Sequence, residues 1–227
     1  LINQLVESKY SPSNLKQIVD DNTSSFHIIS FHTGGKYEKY AETFAKSCIN
    51  SGYGDQTFIA DVSRINSRRH ALLAKPIVIR KFCQTSNVNV LWIDIDTVVQ
   101  GSLSLFNNWE IMTSGSDIGI RRRVNKYGQI YYLTGTVFLR RNGERSKEIN
   151  DAFLAHWCRA CESQIGIGNI DWLADDQTLF EVVLNRAERE GILPYFIHPE
   201  YCFIFDADKD RYPWMIPVIL HKQAHRV

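Results

Sequence analysis

The sequence predicts an α/β domain with parallel neighbouring strands, and three observations predict it. Apolar runs of strand length alternate with helical patterns from residue 26 to residue 93, in the order strand, helix, strand, helix, strand. The 227 residues are 44% hydrophobic and include five Trp, ten Tyr and twelve Phe, enough for one sizeable core. The third strand, Val88 to Ile93, runs straight into Asp94 and Asp96. Open α/β sheets bind ligands just beyond the carboxyl ends of their strands, and these two carboxylates stand there.

Each element follows from its local pattern. Residues 1–24 are polar, carry a helix start at Ser11-Pro12-Ser13, and read as a peripheral N-terminal segment; a single domain is expected over residues 25–227. Phe26 to Phe31 is the first strand, closed by the turn His32-Thr33-Gly34-Gly35, and a helix follows from about Tyr37 to Cys48, ending at Ser51-Gly52. Thr57 to Val62 is the second strand. Residues 69–84 read as a helix whose middle holds Pro76, either inside it or at the first turn of a new segment. In the second half, Asp117 to Ile120 is a strand, and the basic run Arg121-Arg122-Arg123 reads as a wet loop, with contact to a phosphate or an acceptor substrate as its alternative. Ile130 to Leu139 is β-rich but interrupted by Thr134-Gly135-Thr136. Helices are expected over 144–162 and 176–190, and late strands over Ile192 to Ile197 and Ile216 to Leu220.

Composition excludes several functions. A formal net charge of +1 argues against bulk nucleic-acid binding. No apolar run reaches the length of a membrane span, and no signal peptide opens the chain. The first residue is Leu1, so the chain reads as a trimmed piece. Five cysteines are an odd count in a chain too large to need staples, so they read as reduced thiols, which favours a cytoplasmic or otherwise soluble setting. The Golgi lumen is the alternative if the chain was cut from a membrane-anchored precursor. Cys158 and Cys161 form a CxxC, but no second ligand pair accompanies it, so two cysteines on a helix are expected rather than a zinc site.

The chemistry centres on VLWIDIDTVVQGSL, residues 90–103. Carboxylates two apart on a strand share a face at roughly 6.5 Å of rise, and they repel unless a cation or proton intervenes. One reading is a Mg²⁺ or Mn²⁺ site for a nucleotide-sugar diphosphate, with His221, at the end of Val218-Ile219-Leu220, as a third ligand and His225 as its competitor. Another is a haloacid-dehalogenase-type phosphatase, with Asp94 as nucleophile, Asp96 as acid/base and Asp175 and Asp176 as later metal ligands. That motif normally opens its domain, whereas here about ninety residues come first. The plainest reading is that both carboxylates cap a turn.

Longer stretches favour the first reading. The segment from Arg69 to Arg80, then VLWIDIDTVVQGSLSLF, resembles the DxD core of metal-dependent GT-A glycosyltransferases, and most of all the retaining galactosyl-, mannosyl- and xylosyltransferase family. Leu133 to Asn142, Trp172 to Leu179 and Val218 to His221 resemble three further stretches of that family, in order. Two departures stand out: Thr134 replaces the usual Asn or Asp before Gly135, and the Gly after the terminal His is missing. The resemblance implies a GT-A, Rossmann-like fold with a mixed central sheet flanked by helices. It implies transfer of a hexose or pentose from a UDP-sugar to a glycan or glycoprotein acceptor, with Mn²⁺ or Mg²⁺.

By the same resemblance, Asp96 is the principal metal ligand, Asp94 meets the metal or the ribose, and His221 completes the set. Lys75 and Arg69 are expected on the diphosphate, or else on a solvated helix face. His32, Thr33 and Tyr37 follow the first strand, where the nucleotide base is received. Gly135 lets backbone approach the donor sugar, or marks a bulge. Asp175 and Asp176 precede a helix, where a carboxylate can simply cap; the resemblance places one of them, Asp176 first, near the reacting sugar carbon. A non-catalytic nucleotide-binding module would show the same donor residues without turnover.

Overall fold

The computed structural model describes residues 25–62, 65, 68–125, 127–165 and 174–222. The proposed N-terminal segment 1–24, Trp172 and the competitor His225 lie outside the described residues. The chain runs β1 (Phe26–His32), α1 (Lys36–Asn50), β2 (Thr57–Asp61), α2 (Arg68–Thr85), β3 (Asn89–Ile93) and β4 (Thr97–Val99). Two single-turn helices follow, α3 (Ser104–Asn107) and α4 (Trp109–Met112), and then β5 (Ile118–Val124), β6 (Ile130–Leu139), α5 (Glu144–Ile165) and α6 (Asp176–Arg189). The described chain closes with β7 (Pro194–Phe196), β8 (Phe203–Ile204), α7 (Phe205–Asp208) and β9 (Ile219–His221).

The central sheet has the order β2-β1-β3-β6-β5-β7. The pairs β1·β2 and β1·β3 are parallel and β6 is antiparallel to β3, so the sheet is mixed as expected. A second, small sheet, β4-β9-β8, lies beside it. Alternation along β3 divides the core. Val90 and Trp92 point into the layer of α2, α5 and α6, while Leu91 and Ile93 point into the layer of α1, Phe106 and Trp109. A strand buried on both faces reads as a continuous apolar run, and VLWI is one. Asp94 continues the Val90–Trp92 parity, so it emerges on the α2 side.

α2 passes through Pro76 without a break, so the proline does not start a new segment. Its missing N–H costs one intrahelical bond, an amount that the packing of Leu73, Ala74, Ile77 and Val78 offsets. On β6, register against β5 jumps from Ile120↔Val137 to Arg121↔Leu133. Thr134, Gly135 and Thr136 therefore bulge out of that pairing, while Thr136 still pairs with Ile93 of β3. Beyond the bulge, β5 and β6 continue as a two-stranded arm past the end of β3. The late strands are shorter than expected, because Ile192 and Ile216 have no strand partner in the ladder.

The basic run is not a wet loop, and this corrects the sequence expectation. It is the second half of β5, and strand alternation sends its members to different places. Arg121 is buried, with Nη2 donating to Asp208 Oδ1 at 2.7 Å and Nη1 donating to the Cys202 carbonyl. Arg122 stacks over the Phe196 ring at 4.3 Å. Arg123 donates to the Ala207 carbonyl at 2.6 Å. The Arg121 and Arg123 contacts tie the central sheet to Cys202 and α7, which flank β8, and β8 pairs with the strand that carries His221.

Burial pushes the Asp208 carboxyl up, but Arg121 and the Ile204 N–H outweigh it and leave it below the ordinary carboxylate range. A depressed carboxyl contributes stability above its unfolded value, and that contribution fades as pH falls toward the folded one. Asp208→Asn is expected to cost about 1–3 kcal/mol near neutrality. Urea unfolding at two pH values should show that the variant loses less than the parent on acidification.

Candidate active site

The sequence at the end of β3 turns sharply: Asp94 N–H donates to the Gly135 carbonyl at 2.8 Å, and the Thr97 hydroxyl closes the turn on the Asp94 carbonyl. β4 then pairs antiparallel with β9, setting Thr97 opposite His221, and Lys222 N–H reaches the Asp96 carbonyl at 2.9 Å. Two strands distant in sequence are thereby locked so that Asp94, Asp96 and His221 offer ligand atoms within 4.8 Å of one another. Among the described residues this is the only group of three candidate metal ligands.

The donor set suits a hard divalent cation. Asp94 Oδ1 accepts from Trp92 Nε1 at 2.8 Å and faces the Lys75 ammonium at 3.1 Å, leaving Oδ2 on the cluster side. His221 Nε2 lies 3.0 Å from Thr136 Oγ1. With that nitrogen carrying the proton, Nδ1 keeps its lone pair, the usual outer partner of a metal-bound imidazole. Burial pushes His221 below its ordinary value, and the two carboxylates only partly restore it. The imidazole is therefore neutral near pH 7, as a ligand must be. Cys202 also lines the cavity, its thiol raised by burial to about 11, but it is not among the three grouped ligands.

Gly135 makes the cradle. A Cβ there would stand 2.6 Å from His221 Cε1, 3.0 Å from Nδ1 and 3.4 Å from Asp94 Oδ2. Only glycine admits the buried ring, so Gly135→Ala is expected to displace His221. Mn²⁺ affinity should fall by about tenfold or more, as when partners of a metal ligand are disturbed. A Mn²⁺ titration followed by electron paramagnetic resonance checks this.

Behind the cluster lies a buried polar network. Lys75 Nζ contacts Asp176 Oδ2 at 2.9 Å and Asp94 Oδ1 at 3.1 Å, and it donates to Thr134 Oγ1 and O, each at 3.2 Å. Thr134 Oγ1 in turn donates to Asp176 Oδ2 at 2.8 Å. Burial alone would depress the Lys75 ammonium, but Asp176 and Asp94 more than reverse that, so it stays charged. Asp176 is pushed up by burial, partly countered by Lys75. With three hydrogens and four protein acceptors around it, Lys75 has none to spare for a diphosphate. The sequence placed it on the diphosphate or on a solvated helix face; in the structure it is buried between two carboxylates.

One cavity of about 600 Å³ gathers His32, Thr33, Tyr37, Lys75, Asp94, Asp96, Gly135, Asp175, Asp176 and His221. His32 Nδ1 accepts from Gly34 N–H at 3.2 Å. Asp175 Oδ1 caps α6 by accepting from Thr178 N–H at 2.8 Å, so the capping role is realised. Arg69 is the exception: it does not line the cavity, and its Nη2 reaches the Gln164 carbonyl at 3.3 Å. Sequence reasoning missed Trp92, Thr136 and Lys36. Trp92 shares a strand face with Asp94 and could have been found by parity; Thr136 needed the bulge, and Lys36 the wall of the cavity.

The phosphatase alternative loses its support. Two parallel strands precede the carboxylate strand, and the residues it needs as later ligands are engaged, Asp175 as a cap and Asp176 with Lys75. The CxxC cysteines are buried on α5, with the Cys158 thiol raised by burial to about 12, and they join no metal-ligand group among the described residues.

No protein-family model matches the chain, and no curated protein matches it in sequence. Its fold does match solved structures. A glycosyltransferase involved in glycosylation of the major capsid of PBCV-1 superposes with a TM-score of 0.57 at 16% identity, covering 88% of this chain and 96% of that one. The galactosyltransferase LgtC, solved with donor and acceptor sugar analogues, superposes with a TM-score of 0.52 at 14% identity, covering 87% of each chain. Mixed sheet, helical layers and these superpositions together identify the chain's fold as the GT-A fold of glycosyltransferases.

Proposed function

We propose that the cavity binds a nucleotide-diphosphate sugar, a UDP-sugar, with Mn²⁺ or Mg²⁺, and that the protein transfers the sugar to a glycan or glycoprotein acceptor. The observation that carries this reading is the convergence of Asp94, Asp96 and His221 at the carboxyl end of β3, in a cavity of about 600 Å³ on this fold. That volume lies within the range of roughly 300–1,000 Å³ typical of small-molecule sites. A divalent ion held by the three side chains would neutralise the charge that develops on the diphosphate as the glycosidic bond breaks.

The chain's own residues divide the remaining work. His32, Thr33 and Tyr37 form the wall on the β1 side and receive the nucleotide. Gly135 leaves room for the donor beside the ligand cluster. Asp176, pinned by Lys75 and Thr134, is a fixed anion that favours positive charge on the departing sugar. Its two partners make it a poor mobile base. Among the described residues no helix is long and apolar enough to cross a membrane.

A panel of UDP-sugars, assayed for release of UDP with Mn²⁺ and with chelator, tests this reading. One sugar should be hydrolysed or transferred in the presence of metal alone. A chain that binds nucleotide yet turns over no sugar would be a binding module instead.

A further inference from the structure

The β5–β6 arm gives the cavity a second wall that the reading above leaves unused. Along β6, Leu133, Thr134 and Gly135 line the cavity at the bulge, and Tyr131 follows Leu133 at the same parity. Tyr131 lies about 7 Å beyond Leu133 at strand rise. There it meets a shallow cleft formed by Arg123, Val124, Asn125, Tyr131 and Arg211. Arg123 is opposite Tyr131 in the ladder and is braced from below by the Ala207 carbonyl. Arg211 closes the cleft from the α7 side, with Nη1 reaching the Val124 carbonyl at 3.4 Å.

Among the described residues, none that lines this cleft is acidic. The nearest buried carboxylate, Asp208, is shared: Arg121 Nη2 donates to it at 2.7 Å, and Arg123 Nη2 faces the same Oδ1 at 3.5 Å, so Arg123 offers a ligand only its remaining N–H groups. The Asn125 carboxamide is consumed in its own turn, accepting from Tyr127 and Gln129 N–H and donating to Gln129 Oε1. Recognition in the cleft therefore falls to two guanidiniums and a phenol. Guanidinium pairs carboxylate, sulfate and phosphate oxygens in a fork, and a phenol packs on a sugar face. Sheet order sets the direction. The wall proposed for the nucleotide lies on the β1 side of β3, and the arm lies on the opposite side, which leaves the arm's side of the cavity for the acceptor.

We propose that this cleft is the outer part of the acceptor site and takes a saccharide bearing an anionic group, a uronate, sulfate or phosphate. The proposal rests on the glycosyltransferase reading for the word acceptor, but the cleft can be tested without any donor. Calorimetry would compare oligosaccharides of matched length, one neutral and three carrying uronate, sulfate or phosphate, with inorganic phosphate and sulfate as separate titrants.

At least one acidic saccharide should bind more tightly than the neutral one, and more weakly as salt is raised. Arg211→Gln should weaken that binding by about tenfold, the loss of one charge-assisted hydrogen bond. Arg123→Gln should act in the same direction. Arg186→Gln, the same charge change on an exposed face of α6, should bind as the parent does. Thermal midpoints of all three variants would be recorded alongside. Equal binding of neutral and acidic saccharides, binding of inorganic phosphate or sulfate as tight as that of any saccharide, or no binding at all would overturn the proposal. Failure of UDP to bind would instead strike the donor reading and leave the cleft's saccharide preference as measured.

Discussion

Asp96→Ala is expected to abolish metal-dependent nucleotide binding while leaving the fold intact. Asp96 sits half-buried in the turn after β3, and its backbone carbonyl, which the substitution keeps, accepts from Lys222 N–H. Disturbing residues that merely orient a ligand costs about 10–100-fold in metal affinity. Losing one of three protein ligands should cost more than that. With Mn²⁺, the parent gains thermal stability through mass action and the variant does not. Thermal melts of both proteins with and without Mn²⁺ read this directly. A variant stabilised by Mn²⁺ as much as the parent would remove Asp96 from the ligand set.

Lys75→Met is expected to be the most destabilising single substitution in the site. It removes the buried ammonium from between Asp176 at 2.9 Å and Asp94 at 3.1 Å. Breaking a buried ion pair from one side leaves an uncompensated charge and costs about 3–5 kcal/mol. Asp176 is 3% exposed, so it cannot recover its hydration. The pair can be separated from simple loss of packing by a double-mutant cycle. Adding Asp176→Asn to Lys75→Met removes the stranded anion and should restore part of the loss, with a coupling of about 0.5–3 kcal/mol. Additive losses in urea unfolding would show that Lys75 acts through its methylenes alone.

The parts of the fold that local patterns determine were legible in the sequence. VLWI followed by Asp-x-Asp announces a buried strand with carboxylates at its ligand-binding end, and the structure has that strand paired on both sides. His221 was legible only through resemblance, because its approach to Asp94 depends on β4 pairing with β9, a contact that no local pattern encodes. Arg121 was misread for the same reason. Its partner Asp208 is 87 residues away, and a charge run on paper looks solvated until that partner is known. Lys75 shows how burial overrides composition: the resemblance implied a donor-facing cation and the helix alone a solvated one, but packing under Trp92 and β6 turned it inward. The interruption at Thr134-Gly135-Thr136 was visible as a break in β character. A bulge at Gly135 was one of the two readings of that residue; that it supplies two contacts to the cluster, the Gly135 carbonyl to Asp94 N–H and the Thr136 hydroxyl to His221, emerged only from the structure.

The most direct test of the account is a calorimetric titration of UDP into the protein with Mn²⁺ and again with chelator. Binding is expected with the metal and little or none without it, because on the proposed function Asp94, Asp96 and His221 would meet the diphosphate through an ion that they hold. Equal binding under both conditions, or none under either, would contradict it.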